Sequence, residues 1–281
     1  MNRLLKGIIV GLLALAAVGC SRNYYNIPRD SFERNVRVIG VAPIFVDTDS
    51  DIKYPEKEAL VRLLRDQSST SEKELIAMLR DGGEFYAVRP VEGDPAQLFS
   101  RLLFRRERRD DADVLYNKYF FKEQEVRDLI KQNQLDALML IVISGLDRPE
   151  KIYSSNLLSY LDTNYNELVM TAQILDANNT ILWEYPNFRQ KSPDLPALVN
   201  LQYPDFDEAA ANQDERVLVK FKTIPGLTRA LTKKETSLTG SILPASALYY
   251  DIFDDMVSML KPERTWFGEK KKIGPPADGK Q

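Results

Sequence analysis

Residues 36–46 read VRVIGVAPIFV. The run is almost continuously apolar and β-branched, which predicts a central strand covered on both faces, because a strand with one wet face would alternate. A second run of this kind, LDALMLIVIS, spans Leu135 to Ser144, and a shorter one, FYAVRPV, spans Phe85 to Val91. The stretches between them carry helical spacing. Glu56 to Asp66 places Leu60, Leu63 and Leu64 on one face, and Ser71 to Asp81 does so with Leu75, Ile76 and Leu79. Ser71 and Glu74 have the spacing of a capping box, and Asp81-Gly82-Gly83 marks the stop. Pro95 to about Arg109 reads as helix with Leu98, Leu102 and Leu103 inward, and Glu123 to Asn133 as helix with Val126, Leu129 and Ile130 inward.

Beyond Ser144 the pattern changes. Glu167 to Leu175 (ELVMTAQIL) and Thr180 to Tyr185 (TILWEY) are strand-like and joined by Asp176-Ala177-Asn178-Asn179, a turn chemistry that predicts an antiparallel hairpin with Trp183 on its buried face. Ala245 to Leu260 is a last helix with Leu248, Ile252, Met256 and Met259 on one side. Residues 186–243 form an irregular insertion before it, broken by Pro186, Pro193, Pro196, Pro204 and Pro225. The expected fold is a single α/β domain over 36–260, a mixed β-sheet flanked by helices.

The 281 residues carry 38 Lys and Arg against 41 Asp and Glu, no His and one Cys. This near balance removes the electrostatic case for nucleic acid. Without His there is no imidazole catalysis or His-ligated metal, and one Cys makes neither an internal disulfide nor a Cys-cluster zinc site. No Gly-rich phosphate loop occurs, Ser144-Gly145 lacks the preceding Gly of a nucleophile elbow, and no cofactor is expected.

The first 19 residues read as a processing signal: Arg3 and Lys6, then an uncharged apolar run from Gly7 to Val18, too short for a comfortable membrane span. Ala17-Val18-Gly19-Cys20 follows, and small residues before a cysteine resemble the bacterial lipobox, with Cys20 as the acylated residue. Cleavage there would leave 262 of the 281 residues and, without Arg3 and Lys6, 36 basic against 41 acidic side chains. Two or three acyl chains hold a protein on a membrane durably. Residues 20–35 are expected to be a lipidated tether, and 261–281, with Lys270 to Lys272 and Pro275-Pro276, a disordered tail. Ser21 after the cysteine resembles lipoproteins carried to the outer membrane.

Two segments carry a wider likeness. Val38-Ile39-Gly40-Val41-Ala42-Pro43-Ile44-Phe45 resembles a "V-x-V-x-P-F" opening strand, and Leu175-Asp176-Ala177 through Ile181-Leu182-Trp183-Glu184 resembles an "L-x-D-x-x-T-G-x-I-x-W" hairpin. Both belong to a group of Gram-negative envelope lipoproteins with the fold of the TolB amino-terminal domain, including the curli-secretion channel lipoprotein and activators of penicillin-binding proteins. The resemblance implies a TolB amino-terminal-like fold.

Three sets of residues are candidates for function. Asp47, Asp49 and Asp51, with Glu58 at the twelfth place, have the ligand spacing of a calcium loop; Ile52 stands where such a loop needs Gly, and a solvated acidic loop is the alternative. The run Arg101, Arg105, Arg106, Arg108 and Arg109 reads either as a headgroup patch or as a solvated helix pairing its Arg with Asp110, Asp111 and Asp113. Tyr249, Tyr250 and Phe253 in the last helix are candidate partner contacts if exposed. Together these features predict a non-enzymatic lipoprotein on the periplasmic face of the outer membrane. It would be held by its acyl chains and act as a docking or assembly factor for an envelope protein partner. The alternatives are a secretion-channel subunit, with Arg216 to Ile224 and Thr236 to Leu243 as its pore strands, and a carboxylate-dependent cell-wall enzyme.

Overall fold

The computed structural model describes residues 24–111, 114–153, 160–187, 195–203, 220–234 and 246–261. Cys20 and the residues after 261 lie outside them, as does most of the insertion. The elements run α1 (Arg29–Asn35), β1 (Val38–Val41), β2 (Phe45–Asp47), α2 (Lys57–Gly82), β3 (Ala87–Pro90), α3 (Pro95–Leu102), β4 (Leu103–Asp111), β5 (Val114–Phe121), α4 (Glu123–Gln132), β6 (Ala137–Tyr153), β7 (Tyr160–Asp176), β8 (Ile181–Tyr185), β9 (Ala197–Asn200), α5 (Ile224–Thr232) and α6 (Ala247–Leu260). Seven strands form one mixed sheet in the order β3-β1-β6-β7-β8, with β2 also on β6 and β9 also on β7. β1, β2, β3 and β6 are parallel, and β7 runs antiparallel to β6, β8 and β9. The chain is thus a single α/β domain of the expected class.

The apolar runs do what their composition demands. In β6 Met139, Ile141 and Ile143 join a core cluster with α2, α5 and α6, while Leu138, Leu140 and Val142 join the opposite cluster with α3, α4 and β5. The 36–46 run is divided. Pairing with β6 advances from Val41↔Met139 to Phe45↔Val142, so the β1–β2 lane holds one residue more than β6 does. The extra residue falls at Ala42-Pro43-Ile44, where Pro43 has no N–H to give to the ladder. Ile44 and Val46 still face one cluster and Ala42 and Phe45 the other.

Several boundaries differ from the sequence reading. The two helices expected over 56–66 and 71–81 are one helix of 26 residues, α2, and Ser71 lies mid-helix where it caps nothing. The polar stretch between them continues the helix because its hydroxyls are satisfied: Thr70 Oγ1 donates to Asp66 O (3.3 Å), and buried Ser68 shares a hydrogen bond with Tyr249 of α6 (3.1 Å). Gly83, at φ 76°, ends α2 in the left-handed conformation foreseen for it. The helix expected from Pro95 to Arg109 stops at Leu102. The arginine run becomes β4, an antiparallel partner for the aromatic strand β5, whose Tyr116, Tyr119 and Phe121 are buried.

The described part of the expected tether is folded. Tyr25 and Phe32 are 5% and 3% exposed, and Tyr25 forms a β-bridge with Trp183 and donates its OH to Leu260 O at 3.0 Å. Two aromatic anchors in a short polar segment give no periodic signal, yet each buries a large ring.

The 167–185 hairpin matches its reading. Asp176 Oδ1 accepts from Asn178 N (2.9 Å) and Thr180 N (2.8 Å), Asn179 takes φ 61°, and Trp183 is fully buried. Trp183→Ala is expected to cost ~3–5 kcal/mol, as large-to-small core changes do. Asp176→Ala should lose about 1 kcal/mol, as the loss of a local cap does. Thermal melts of residues 21–281 check both, and an unchanged Trp183→Ala melting point would contradict the packing.

Candidate functional site

From β1 the chain goes to β3 on one side of the sheet and then returns to β6 on the other. In open α/β sheets the crevice at the carboxyl ends of the strands, where the order reverses, is the usual ligand position. Here that place lies between the ends of β2 and the parallel part of β6, and the acidic loop 47–53 fills it. Asp47, 2% exposed, accepts at Oδ2 from Arg106 Nη1 (2.6 Å) and Tyr119 OH (2.8 Å), and at Oδ1 from Asp49 N (3.1 Å). Arg106 Nη2 donates to Asp49 O at 2.9 Å, and Arg108 bridges Asp51 Oδ2 (3.0 Å) and Asp147 O (2.7 Å). Arg106 and Arg108 therefore face the acids of this loop, while Arg105 and Arg109 pair with Glu107 on their own strand.

A second layer ties the loop to β6 and β7. Ser50 Oγ donates to Asp47 O (2.5 Å) and accepts from Gly145 N (2.9 Å). Asn166 Nδ2 donates to Asp51 O (2.6 Å) and Leu146 O (3.0 Å), while Lys53 N donates to Asn166 Oδ1 (2.8 Å). Asn117 Nδ2 reaches Ser144 Oγ (3.1 Å) and Gly145 O (3.2 Å) from β5. A Cβ on Gly145 would stand 2.5 Å from Ile52 N and 2.6 Å from Asp51 O, so backbone meets backbone there and only glycine fits. Ser144-Gly145 is a close-approach site, which its sequence context does not announce.

This electrostatic arrangement is self-contained. Burial works against the charge of Arg106, but the hydrogen bond and attraction of Asp47 outweigh it and raise its pKa. Tyr119 is pushed well above the usual phenol value, first by burial and then by the Asp47 charge. It stays a donor. Asp49, Asp51 and Glu58 are exposed, and the four acids with calcium-loop spacing do not converge; among the described residues no three metal-ligating side chains come together. Ile52 is a core residue, 4% exposed, and is not among the positive-φ positions. The calcium-loop reading is therefore corrected: Asp47 serves a hydrogen-bonded arginine and tyrosine, and Ile52 anchors the loop by its side chain.

The partner-contact reading of the last helix is corrected as well. Tyr249 and Phe253 are fully buried, stacked edge-on at 5.9 Å, with Tyr249 bonded to Ser68, while Tyr250 is half-buried. Helical spacing put them on one face, and that face is core. Among the described residues the exposed large apolar side chains are Tyr86, Phe104, Tyr153 and Tyr203, scattered over the surface. Among the described residues the buried acids do not form a catalytic pair: Asp47 is held as above, Glu167 pairs with Arg148 at 2.7 Å, and Glu84 follows α2.

The feature that the sequence reading did not contain is the length of β6 and β7, 17 residues each, paired from Ala137↔Asp176 to Tyr153↔Tyr160. Past Asp147 they form a two-stranded ribbon without the neighbouring strands. Its residues include Asp147, Arg148, Glu150 and Lys151 on β6 and Asp162, Thr163 and Asn164 on β7. Both alternating sets of β6 therefore carry charge, unlike the apolar band of a membrane-barrel strand. The pore strands proposed at Arg216 to Ile224 and Thr236 to Leu243 lie largely outside the described residues; Ile224 begins α5.

No family model matches the chain, and no curated protein matches it. Solved structures with partial similarity include the PelC dodecamer from Paraburkholderia phytofirmans (12% identity, 54% of this chain and 68% of that one, TM-score 0.24). Lipoprotein GNA1162 from Neisseria meningitidis aligns at 12% identity over 53% of this chain and 78% of that one, TM-score 0.23. A putative neuraminyllactose-binding hemagglutinin homolog from Helicobacter pylori aligns at 6% identity over 80% and 86%, TM-score 0.32.

Two measurements test the site. Tyr119→Phe should cost ~1.5–3 kcal/mol, the range for a hydrogen bond to a charged group, and Gly145→Ala ~1–3 kcal/mol from forced displacement of the loop; urea unfolding reads both. Tyr25, Tyr116, Tyr119, Tyr185 and Tyr249 all have phenol pKa values pushed up by burial. Unfolded, they ionise near ~10, so above that pH the unfolded state binds fewer protons and stability falls as pH rises. Melting temperature should therefore hold through neutral pH and drop on the alkaline side of about 10, with tyrosinate absorbance appearing together with unfolding.

Proposed function

We propose that this chain is a bacterial lipoprotein anchored through Cys20 to the outer membrane, facing the periplasm, and that it acts by docking an envelope protein partner without catalysing a reaction. The observation that carries the reading is Cys20, the single cysteine of the chain, placed directly after a basic and apolar leader. The body supports it. The crevice where an α/β enzyme would bind its ligand is filled by Asp47, Arg106 and Tyr119, and the β6–β7 ribbon offers open backbone edges beyond the sheet, a form suited to pairing with another chain.

A secretion-channel subunit is the second reading. The β6–β7 strands are long enough, since a transmembrane strand needs ~9–11 residues, but the charges on both alternating sets of β6 oppose a lipid-facing wall.

Membrane fractionation tests the anchor. Wild-type protein should remain with the membranes through a high-salt wash, and Cys20→Ala should move to the soluble fraction or stay as uncleaved precursor. In vivo cross-linking from Tyr153 should then recover a defined envelope protein. Recovery of nothing above background, together with turnover of a substrate by the purified protein, would overturn the non-enzymatic docking reading.

A further inference from the structure

The β6–β7 ribbon has two backbone edges, and the phase of its hydrogen bonds makes them unequal. In an antiparallel pair, alternate residues turn both N–H and C=O away from the partner strand. Asn166 fixes that phase on β7. Its N–H donates to Gln202 Oε1 (2.8 Å) and its C=O accepts from Leu201 N (2.9 Å), both on the side of β9. The β6–β7 pairing runs from there to Tyr153↔Tyr160 without a register shift. Asn164, Asp162 and Tyr160 therefore turn their backbone groups to the same outer side, and their register partners Pro149, Lys151 and Tyr153 turn theirs to the outer side of β6.

On β6 the outer edge is already used or closed where it leaves the sheet. Gly145 N donates to Ser50 Oγ (2.9 Å), Gly145 O accepts from Asn117 Nδ2 (3.2 Å), and Asp147 O accepts from Arg108 Nη2 (2.7 Å). The next outward residue is Pro149, which has no N–H and blocks the addition of a strand. The β7 edge differs. β9 pairs with Glu167, Leu168 and Val169, and its chain leaves that lane after the Asn166 contacts, where Tyr203 N turns to Lys220 O (3.0 Å). Among the described residues no strand continues the lane beyond Asn166. Asn164, Asp162 and Tyr160 present N–H and C=O there with no proline among them, which is the condition for strand addition.

Charge decides what fits. Two copies of this edge, paired antiparallel about a two-fold axis so that all three residues are used, set Asp162 opposite Asp162. Like charges directly opposite destabilise a strand pair, and opposite charges stabilise it. Residues 160–166 (YLDTNYN) contain Asp162 and neither Lys nor Arg. On the β6 side the register partner of Asp162 is Lys151, so a Lys or Arg on the outer side would complete a basic-acidic-basic row across three strands. The edge thus disfavours its own copy and favours a strand with a cation at the facing place.

We infer that the outer edge of β7 at Asn164, Asp162 and Tyr160 receives an extended segment of the envelope protein partner, with Lys or Arg opposite Asp162, while Pro149 closes the β6 edge. This assignment rests on the docking reading and adds to it the edge and the chemistry of the partner.

The test uses the full-length protein in intact cells, with a benzophenone photo-cross-linking residue in place of Tyr153, an exposed position. Asn164→Pro removes an outward N–H from β7, and Pro149→Val supplies one on β6; both groups face away from the β6–β7 ladder, which is left intact. Asn164→Pro should lower the yield of cross-linked partner about tenfold, the effect of ~1.4 kcal/mol. Asn164→Ala and Pro149→Val should leave it unchanged. Asp162→Lys should lower it severalfold, and the adduct should map to a partner stretch with Lys or Arg whose reversal to Glu restores capture by Asp162→Lys. Unchanged capture by Asn164→Pro or Asp162→Lys, or capture of a second copy of this chain instead, overturns the inference. Where the melting temperature shows that Asn164→Pro disturbs the fold, Asp162→Lys and its charge-reversal rescue decide. Capture by the wild-type chain that ignores both substitutions removes only the edge assignment, whereas no capture by the wild-type chain removes the docking reading together with it.

Discussion

The strand β6 has no wet face along its first half, and the rest of the molecule is arranged around that fact. Met139, Ile141 and Ile143 require cover on one side and Leu138, Leu140 and Val142 on the other. Each alternate residue left in water would forgo roughly 1.5–3 kcal/mol of burial. Two sets of elements are therefore needed. α2, α5 and α6 supply one layer, and α3, α4 and the β4–β5 hairpin the other. Beyond Leu146 the same strand turns polar and loses its lateral neighbours, which allows β6 and β7 to leave the domain as a ribbon.

The hairpin in the second layer explains why the crevice at the strand ends is closed. β5 packs Tyr119 and Phe121 against the sheet, which carries β4 and its arginines over the loop after β2. Asp47 is nearly out of water there, and a buried carboxylate is tolerable only when its lone pairs are met. Arg106, Tyr119 and Asp49 N–H meet them. The constellation resembles a site because it is charged, buried and convergent. It holds together by satisfying itself, and perturbed groups in structural networks arise in this way as well as in active sites.

The amino-terminal strap ties Tyr25, Trp183 and the end of α6 into one corner, while the β6–β7 ribbon projects from the opposite end of the sheet. Those two ends give the domain an axis.

The residues by themselves determined the α/β class, the two-sided burial of β1 and β6, the Asp176 turn with Trp183 inside, the α2 stop at Gly83, and Cys20 as the outstanding residue. All of these depend on local patterns: apolar continuity, turn chemistry and leader composition act over a few neighbouring residues. Tertiary structure alone decided the rest. The arginine run has helical composition and became β4 because the aromatic strand β5 needed an edge partner. Ser68 and Ser71 look like a break and lie buried within α2, where Ser68 is bonded to Tyr249 of α6. Tyr249 and Phe253 turned out to be core, and Gly145 a point of backbone contact, because the segments they touch are distant in sequence. The distal parts of β6 and β7 carry charged and polar residues with no apolar period-two pattern, and their mutual pairing extends the strands without leaving that trace in the residues.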